Sequence, residues 1–486
     1  MLEDALQFSE TWDKLIEDDL SVKNRAMGSL VRYIEKKLGV TFYIPSPFRG
    51  LVSESLVDLF ALAKKLEKGR ILKSLGQAHS LPDEPPLFAW IANLHREFEG
   101  EANASGAHPN SHRAALTATL AESVERYVWF EETDYFDSPT FSTTASIASR
   151  GRYIDPKMVA GPSATARTTK GLHIEDSSVF KWIRGYSWTA KKPLWLPAQL
   201  ISGSRKEFYE RAARKEPLIR SVSTNGLATR QTREGAVLYG VLELIERDAF
   251  MIMWLNQLTL PRFDIDDLCA QNASLAELVA DCKKYRLKVD LIRMITDAPT
   301  YAVCAVVTDE TENEPRVIVG LRAHSSKFLA AEKAILEALR IRQMTRHMIK
   351  HPPKNWSLET KADDIGHTDR LLYWATNNRS RKLTFLTKGP TQRFDEPWEF
   401  DTEDEHLLRI IDWCKRAGYE FASVSLTKSK KNISPWHIEM VVIPELQPIH
   451  LNEKLRHTGG LRLKEVPEMF GYKPIEPHTS DPHPFA

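Results

Sequence analysis

Cysteine is scarce in this chain: there are four among 486 residues, Cys269, Cys282, Cys304 and Cys414, and none belongs to a CxxC pair. That scarcity argues against a structural zinc site and a disulfide framework, and predicts buried thiols. No run approaches the ~20 apolar residues of a membrane span, and the N-terminus "MLEDALQFSETWDKLIEDDL" is acidic where a signal peptide would be basic. A cytoplasmic protein without membrane contact is the expectation. Net charge is near +1, from 66 Lys and Arg against 65 Asp and Glu, so no global field steers the chain toward nucleic acid. Neither GxxxxGK(S/T) nor GxGxxG is present, which leaves the P-loop and the dinucleotide fingerprint without residues.

What is present is an ordinary globular composition, 42% hydrophobic and 27% charged, long enough for two or three domains or one elaborated one. Residues 1 to about 100 read as helices, "LVDLFALAKKLEKGRILKSLG" among them, around a short strand, "VTFYIP". "EFEGEANASGAHPNS" reads as a loop that feeds a helix over residues 111–130. Residues 138–178, rich in Ser, Thr, Ala, Gly and Arg, read as a long mobile loop. "VFKWIRGYSW" and "PLWLPAQLI" are strand-like, "STNGLATRQT" reads as a polar loop, and a helix follows it. "KVDLIRMIT", "TYAVCAVVTD", "RVIVGLRAH" and "IEMVVIPE" are strand candidates. Helices are expected over 327–349, stopped by Pro352 and Pro353, and over "DEHLLRIIDWCKRAG". Strands clustered between helices favour an α+β fold with mixed sheets, or an α/β one.

The segment "LYGVLELIERDAFMIMW" is apolar around most of a helical wheel, yet one stripe holds Ala236, Gly240, Glu243, Glu246 and Arg247. "SHRAALTATLAESVERYVWF" repeats the device with Ala115, Ala118, Glu122, Glu125 and Arg126. Average residue usage would produce about 0.1 matches to Glu-x-x-Glu-Arg in such a chain, so two copies carry weight. A single copy reads most simply as a surface salt bridge. Carboxylates on a buried helix must instead be paired, protonated or metal-bound. If the two helices face each other, four carboxylates converge and require cations; oxygen-only donors point to Mg²⁺, with the arginines on phosphate oxygens. Small residues one turn before the acids leave room for something other than a side chain to approach. The loop carrying Ser223 offers further donors to an anion at the helix N-terminus.

At these residues the chain resembles the YcaO family, whose first motif ends in Ser-x-x-x-Glu-x-x-Glu-Arg and whose second is close to "StGlAaGn…E…ER-Asp-Ala". The second stands here as "STNGLATRQTREGAVLYGVLELIERDA". "FKWIRGYSWTAKKPLWLPAQLI" and "AAEKAILEALRIRQ", the latter with Glu337 and Arg342, resemble further family segments. The resemblance covers roughly residues 100–350 and the last few. It implies a YcaO-type fold that binds ATP and Mg²⁺ and activates a peptide carbonyl, with residues 1–100 as an N-terminal region for partner or substrate contact and 101–486 as the catalytic domain. Glu122, Glu125, Glu243 and Glu246 would hold magnesium. Ser223, Gln231, Arg126, Arg247, Glu337 and Arg342 would serve the nucleotide. The motif serine is here Ala118, the family's upstream Gly-Lys-Gly falls on "AHP" with His108 in place of Lys, and a further acidic position is Gly235.

The ending "HTSDPHPFA" resembles the Pro-x-Pro-x-Pro terminus of azoline-forming members, with Ala486 at the last position. By that resemblance the tail reaches the active site, where the carboxylate of Ala486 could act as base. The implied activity is an ATP-dependent cyclodehydratase that makes thiazolines or oxazolines from Cys, Ser or Thr of a ribosomal precursor peptide. Thioamide or amidine formation at the same site, and a non-catalytic nucleotide-binding scaffold, are the alternatives. The missing zinc-type cysteine pairs suggest the discrete component, working in a complex with an E1-like leader-peptide-binding partner and, for azoles, an FMN-dependent dehydrogenase. His347 and His351, four residues apart, are expected to close a helix, and Trp182, Trp188 and Trp195 to sit in the core or on a sheet.

Overall fold

A computed structural model describes residues 56–485, apart from 79, 96–102, 132–135, 137, 353–355, 358, 367–368, 396–397, 399 and 430–432. "VTFYIP" and Ala486 lie outside the described residues. The chain enters through helix α1 (Val57–Lys68) and forms strands β1 (Leu72–Ala78), β2 (Phe88–Leu94) and β3 (Asn103–His108), then helix α2 (His112–Glu131). Strands β4 (Thr140–Thr143), β5 (Val179–Ser187), β6 (Lys192–Pro197) and β7 (Leu227–Arg230) precede helix α3 (Arg233–Leu255). After β8 (Arg262–Phe263), β9 (Leu287–Met294), β10 (Tyr301–Asp309) and β11 (Val317–His324) comes helix α4 (Lys327–Lys350). The last elements used below are β12 (Thr391–Gln392), α5 (Glu403–Ala417), β13 (Ala422–Ser425) and β14 (His437–Val442).

Three sheets result, so the α+β expectation agrees with the structure. One is β1-β2-β3, one is β11-β10-β9-β8-β12, and one is β4-β5-β13-β14-β7 with β6 beside β5. The three-stranded sheet crosses residue 100, since β3 pairs with β2 from Phe88↔His108 to Asn93↔Asn103. Apolar periodicity locates the hairpin strands β9, β10 and β11 within a residue or two, because they are buried on both faces. It also locates the long helices. Thr232 caps α3 by accepting from the Gly235 N–H (3.1 Å), and Thr402 caps α5 by accepting from the Glu405 N–H (3.1 Å). Helix α4 ends at His351, whose ring packs 5.0 Å from that of His347, just before Pro352. Among the described residues, no helix is long and apolar enough to cross a membrane.

Two loop expectations fail and a third holds only in part. "NASGAH" is strand β3 and "LATR" is strand β7, both poor in β-branched residues. Each is held by a partner, β2 for the first and β14 for the second, which overrides weak local propensity. Residues 138–178 are not a bare loop either. They contain β4 and two short helices, Thr144–Ala148 and Ala164–Thr169, capped by the hydroxyls of Thr143 and Ser163. Cys282, Cys304 and Cys414 are buried as expected, while Cys269 is half-buried. Trp182 and Trp195 belong to the core, and Trp188 packs half-buried at its margin.

Candidate active site at three sheet edges

Strands β3, β7 and β11 are each the terminal strand of a sheet, and each would leave a row of backbone N–H groups unpaired. The acids of α2, α3 and α4 take them. The Ser105 N–H donates to Glu122 (2.8 Å), the Gly226 N–H, just ahead of β7, to Glu243 (3.2 Å), and the Leu321 N–H to Glu337 (2.7 Å). The residue three positions later on each helix turns to the next sheet. Glu125 faces Thr229 on β7, Glu246 accepts from the Ala323 N–H on β11 (3.1 Å), and Arg340 donates to the Ser105 carbonyl (3.0 Å) and hydroxyl (2.9 Å) on β3. Three helices and three edges thus close a ring.

Small residues make that closeness possible. A Cβ on Gly106 would stand 2.2 Å from the Ala115 carbonyl, and one on Gly320 would stand 2.2 Å from the Ala334 carbonyl. A Cβ on Gly240 would meet the Gly226 carbonyl at 2.6 Å. The group that approaches the small-residue stripe is therefore the strand backbone itself, brought near enough for its N–H to reach a glutamate one turn along.

The structure brings Glu122, Glu125, Glu243, Glu246, Glu337, Arg126 and Arg247 together. Burial, with the charges of Glu122 and Glu243, pushes Glu125 up to about 8. Burial and the nearby Glu337 and Glu243 carboxylates raise Glu246 to about 7 against the pull of Arg247, and burial also raises Glu243. The shared perturbers show that the carboxylates are mutual neighbours. Yet the side chains of Glu122, Glu243 and Glu337 keep 23%, 25% and 21% of their surface exposed, so they wall a crevice and are not sealed. Arg126 pairs with Glu122 (2.7 Å), and Arg247 pairs with Glu246 and with Glu243 (3.4 Å).

Three other sequence candidates form no hydrogen bond or ion pair with the ring acids among the described residues. Arg342 is a correction: its buried guanidinium holds Glu84 (2.9 Å), Asp309 (2.7 Å) and the Pro315 carbonyl (2.6 Å), which leaves it no reach toward a nucleotide. Helical geometry explains this, since Arg340 and not Arg342 is three residues from Glu337. Gln231 is exposed at the end of β7. Ser223 is half-buried, its hydroxyl accepting from the Asn225 N–H (3.4 Å). Two surface cavities, of about 280 and 320 Å³, are lined by none of the ring residues.

The tail residue before Ala486 does reach the ring. Phe485 is buried, and its ring centroid lies 4.2 Å from the Arg247 guanidinium carbon. Upstream, the backbone carbonyls of Asp481, Pro482 and His483 accept hydrogen bonds from Trp254 (3.2 Å), Trp374 (3.1 Å) and Arg370 (3.1 Å). Arg370 is itself fixed by Glu453 (2.7 Å). These anchors, Arg340 and the third copy of the spacing escaped sequence reasoning. Glu337-x-x-Arg340 keeps the spacing but changes the second acid to Arg, so a search for Glu-x-x-Glu-Arg passes over it.

Five carboxylates, all hard oxygen donors and partly open to solvent, suit Mg²⁺, which needs few protein ligands and keeps water and phosphate in the rest of its shell. Among the described residues no three His, Cys, Asp or Glu side chains are already drawn to metal-ligating spacing; the acids bind backbone N–H groups and arginines instead. The donor chemistry fits the ion.

Residues 106–447 match the family model described as YcaO cyclodehydratase, ATP- and Mg²⁺-binding. An uncharacterized protein of Methanothermobacter thermautotrophicus is 25% identical over 195 residues, which is 40% of this chain and 47% of that protein. Among solved structures, a heterocyclase in complex with substrate and cofactor superposes with a TM-score of 0.69 at 18% identity, over 88% of this chain and 57% of its own. YcaO from Methanopyrus kandleri bound with AMPPCP and Mg²⁺ superposes with a TM-score of 0.59 at 17% identity, over 83% of this chain and 94% of its own. The E. coli microcin synthetase McbBCD complex gives a TM-score of 0.53 at 14% identity, over 81% of this chain and 95% of its own. The chain thus spans about half the length of the archaeal relative and of the heterocyclase.

Proposed function

The chain belongs to the YcaO family, whose cofactors are ATP and Mg²⁺, and from that premise we propose that it is an ATP-dependent peptide cyclodehydratase forming thiazolines or oxazolines. The observation that carries this reading is the pairing of an acid-lined crevice with a C-terminal segment delivered to it through Phe485 on Arg247. Such a site has a place for a metal-bound phosphoryl group and a place for a base.

In the reaction, a Cys, Ser or Thr side chain of the peptide attacks the preceding carbonyl carbon and loses its proton. The carbonyl oxygen takes the γ-phosphoryl group of ATP, giving ADP. Loss of the amide proton and of phosphate then leaves the C=N bond of the ring. Phosphorylation is needed because hydroxide is a poor leaving group. Glu122, Glu125, Glu243, Glu246 and Glu337 would hold magnesium, whose chemistry is to neutralise charge on the transferring phosphoryl. Arg247 is half-buried between Glu243 and Glu246 and would meet the developing negative charge. The Ala486 carboxylate, one residue beyond Phe485, would accept the substrate's proton.

The partner in this reading is a ribosomal precursor peptide, delivered by an E1-like leader-binding protein within a multi-subunit complex. An FMN-dependent dehydrogenase would follow where azoles are the product. The test is phosphate release from ATP in the presence of a Cys-rich precursor, read beside mass spectrometry. Loss of one water per ring supports the assignment; sulfur incorporation would indicate thioamide chemistry, and ATP turnover with an unaltered peptide would contradict both.

A further inference from the structure

Two arginines at the ring are used by none of the contacts described so far. Arg230 ends the edge strand β7 and Arg322 lies on the edge strand β11, one on each side of α3. Both stack on one side chain of that helix. The guanidinium carbon of Arg230 is 3.7 Å from the Tyr239 ring centroid, and that of Arg322 is 5.6 Å from it. Tyr239 is one helical turn before Glu243.

Neither arginine forms an ion pair with a carboxylate among the described residues. Arg230 donates only to the carbonyl of its neighbour Thr229 (2.7 Å), and the Nε of Arg322 is buried without a hydrogen-bond partner. This is unusual so close to acids. Arg230 is among the charges acting on Glu125, and Arg322 among those acting on Glu243 and Glu246. Two like charges sharing one ring, with most of their donors unspent, repel each other; Glu125 and Glu403 act on Arg230 and offset part of this, and an anion between the two guanidinium groups would relieve more. A planar guanidinium presents paired donors that match phosphate oxygens. A peptide carboxylate would be repelled by the neighbouring glutamates, whereas a polyphosphate carrying magnesium offers cations to those glutamates and oxygens to the arginines. Arg230 also stands where the second motif quoted above has its second glycine, so a search guided by that motif gives the position no role.

We infer that Arg230 and Arg322, which share Tyr239, form a phosphate clamp in this chain that grips the β- and γ-phosphates of the nucleotide beside the acid ring. The inference rests on the nucleotide reading of the site. It predicts a division between nucleotides that a general structural role would not produce.

The test is binding of ATP, ADP and AMP to the full-length chain in Mg²⁺ by calorimetry, without peptide, for the wild type, Arg230→Ala, Arg322→Ala and the charge-keeping Arg230→Lys and Arg322→Lys. The expected result is ATP affinity reduced by about 10-fold or more in each alanine variant, partial recovery with lysine, and unchanged AMP affinity. Equal loss for ATP and AMP, or ATP affinity unchanged in both alanine variants, would overturn the clamp. A wild-type chain that binds no ATP would overturn the functional reading itself, a different result from wild-type binding that the variants share. Should an alanine variant fail to fold, the lysine variants carry the comparison alone: ATP affinity equal to wild type in both would refute the assignment.

Discussion

Phe485 lies over Arg247, ring centroid to guanidinium carbon 4.2 Å, which joins the last described residue to the middle of helix α3. Arg247 faces the aromatic ring and two carboxylates at once, so the tail helps hold in place the cation assigned to the reacting phosphoryl. Removing Ala486 alone leaves Phe485 seated and deletes one residue of reach. In a peptide cyclisation assay, kcat should fall by about 100-fold or more, the scale of losing a general base, with ATP affinity preserved. Undiminished turnover after that deletion would exclude the tail as base.

Glu243→Gln keeps the shape and the hydrogen bond from Gly226 but removes a half-buried charge. If Glu243 is a ligand to the activating cation, as proposed, turnover should drop by at least ~100-fold. Thermal stability without Mg²⁺ should stay equal or rise, since burial raises this carboxylate's pKa. Loss of stability together with activity would mark the residue as structural.

Gly226 has φ +86°, and a Cβ there would meet the Val441 carbonyl at 2.3 Å. Gly226→Ala should destabilise the fold by about 1–3 kcal/mol, measured by denaturant unfolding, and pull the N–H away from Glu243. Gly418 also has positive φ, +75°, but open space around it. Gly418→Ala should therefore cost less.

Glu125 and Glu246, raised to about 8 and about 7, hold protons in the folded chain that the unfolded chain has released. A raised carboxylate contributes stability below its unfolded value, and that contribution is lost as pH climbs through the folded one. The Mg²⁺-free protein should therefore melt at progressively lower temperature from about pH 5 to pH 8. Added Mg²⁺ should restore the melting temperature most at the alkaline end, where it no longer competes with protons. A flat profile, or one that Glu125→Gln leaves unchanged, would contradict this.

Arg342→Ala would leave Asp309 buried without its cation and Glu84 held by Arg346 alone, at a cost of about 3–5 kcal/mol. The part of the protein that stays folded should bind ATP as the wild type does. Weakened nucleotide binding in a variant of intact stability would return Arg342 to the site.

The ring was legible in part. Glu122, Glu125, Glu243 and Glu246 announce themselves as charges in apolar helices, and helical spacing alone puts each pair on one stripe. Strands β9, β10 and β11 were legible for the same reason, a periodic pattern imposed by burial. Strands β3 and β7 were not, because Asn, Ala, Ser, Gly and Arg carry no strand preference and are ordered by their neighbours in the sheet.

The sequence by itself determined which helices are buried, where they begin, and that each of two carries paired acids behind small residues, since these are local properties of spacing and side-chain chemistry. Only the tertiary structure decided what those acids meet. Three sheet edges separated widely along the chain supply the N–H donors, Arg340 takes the place in the ring that Arg342 does not, and Arg230 and Arg322 come to share one tyrosine. Such relations depend on how sheets stack and on where their open edges fall, and no pattern within a single segment encodes a distance between segments.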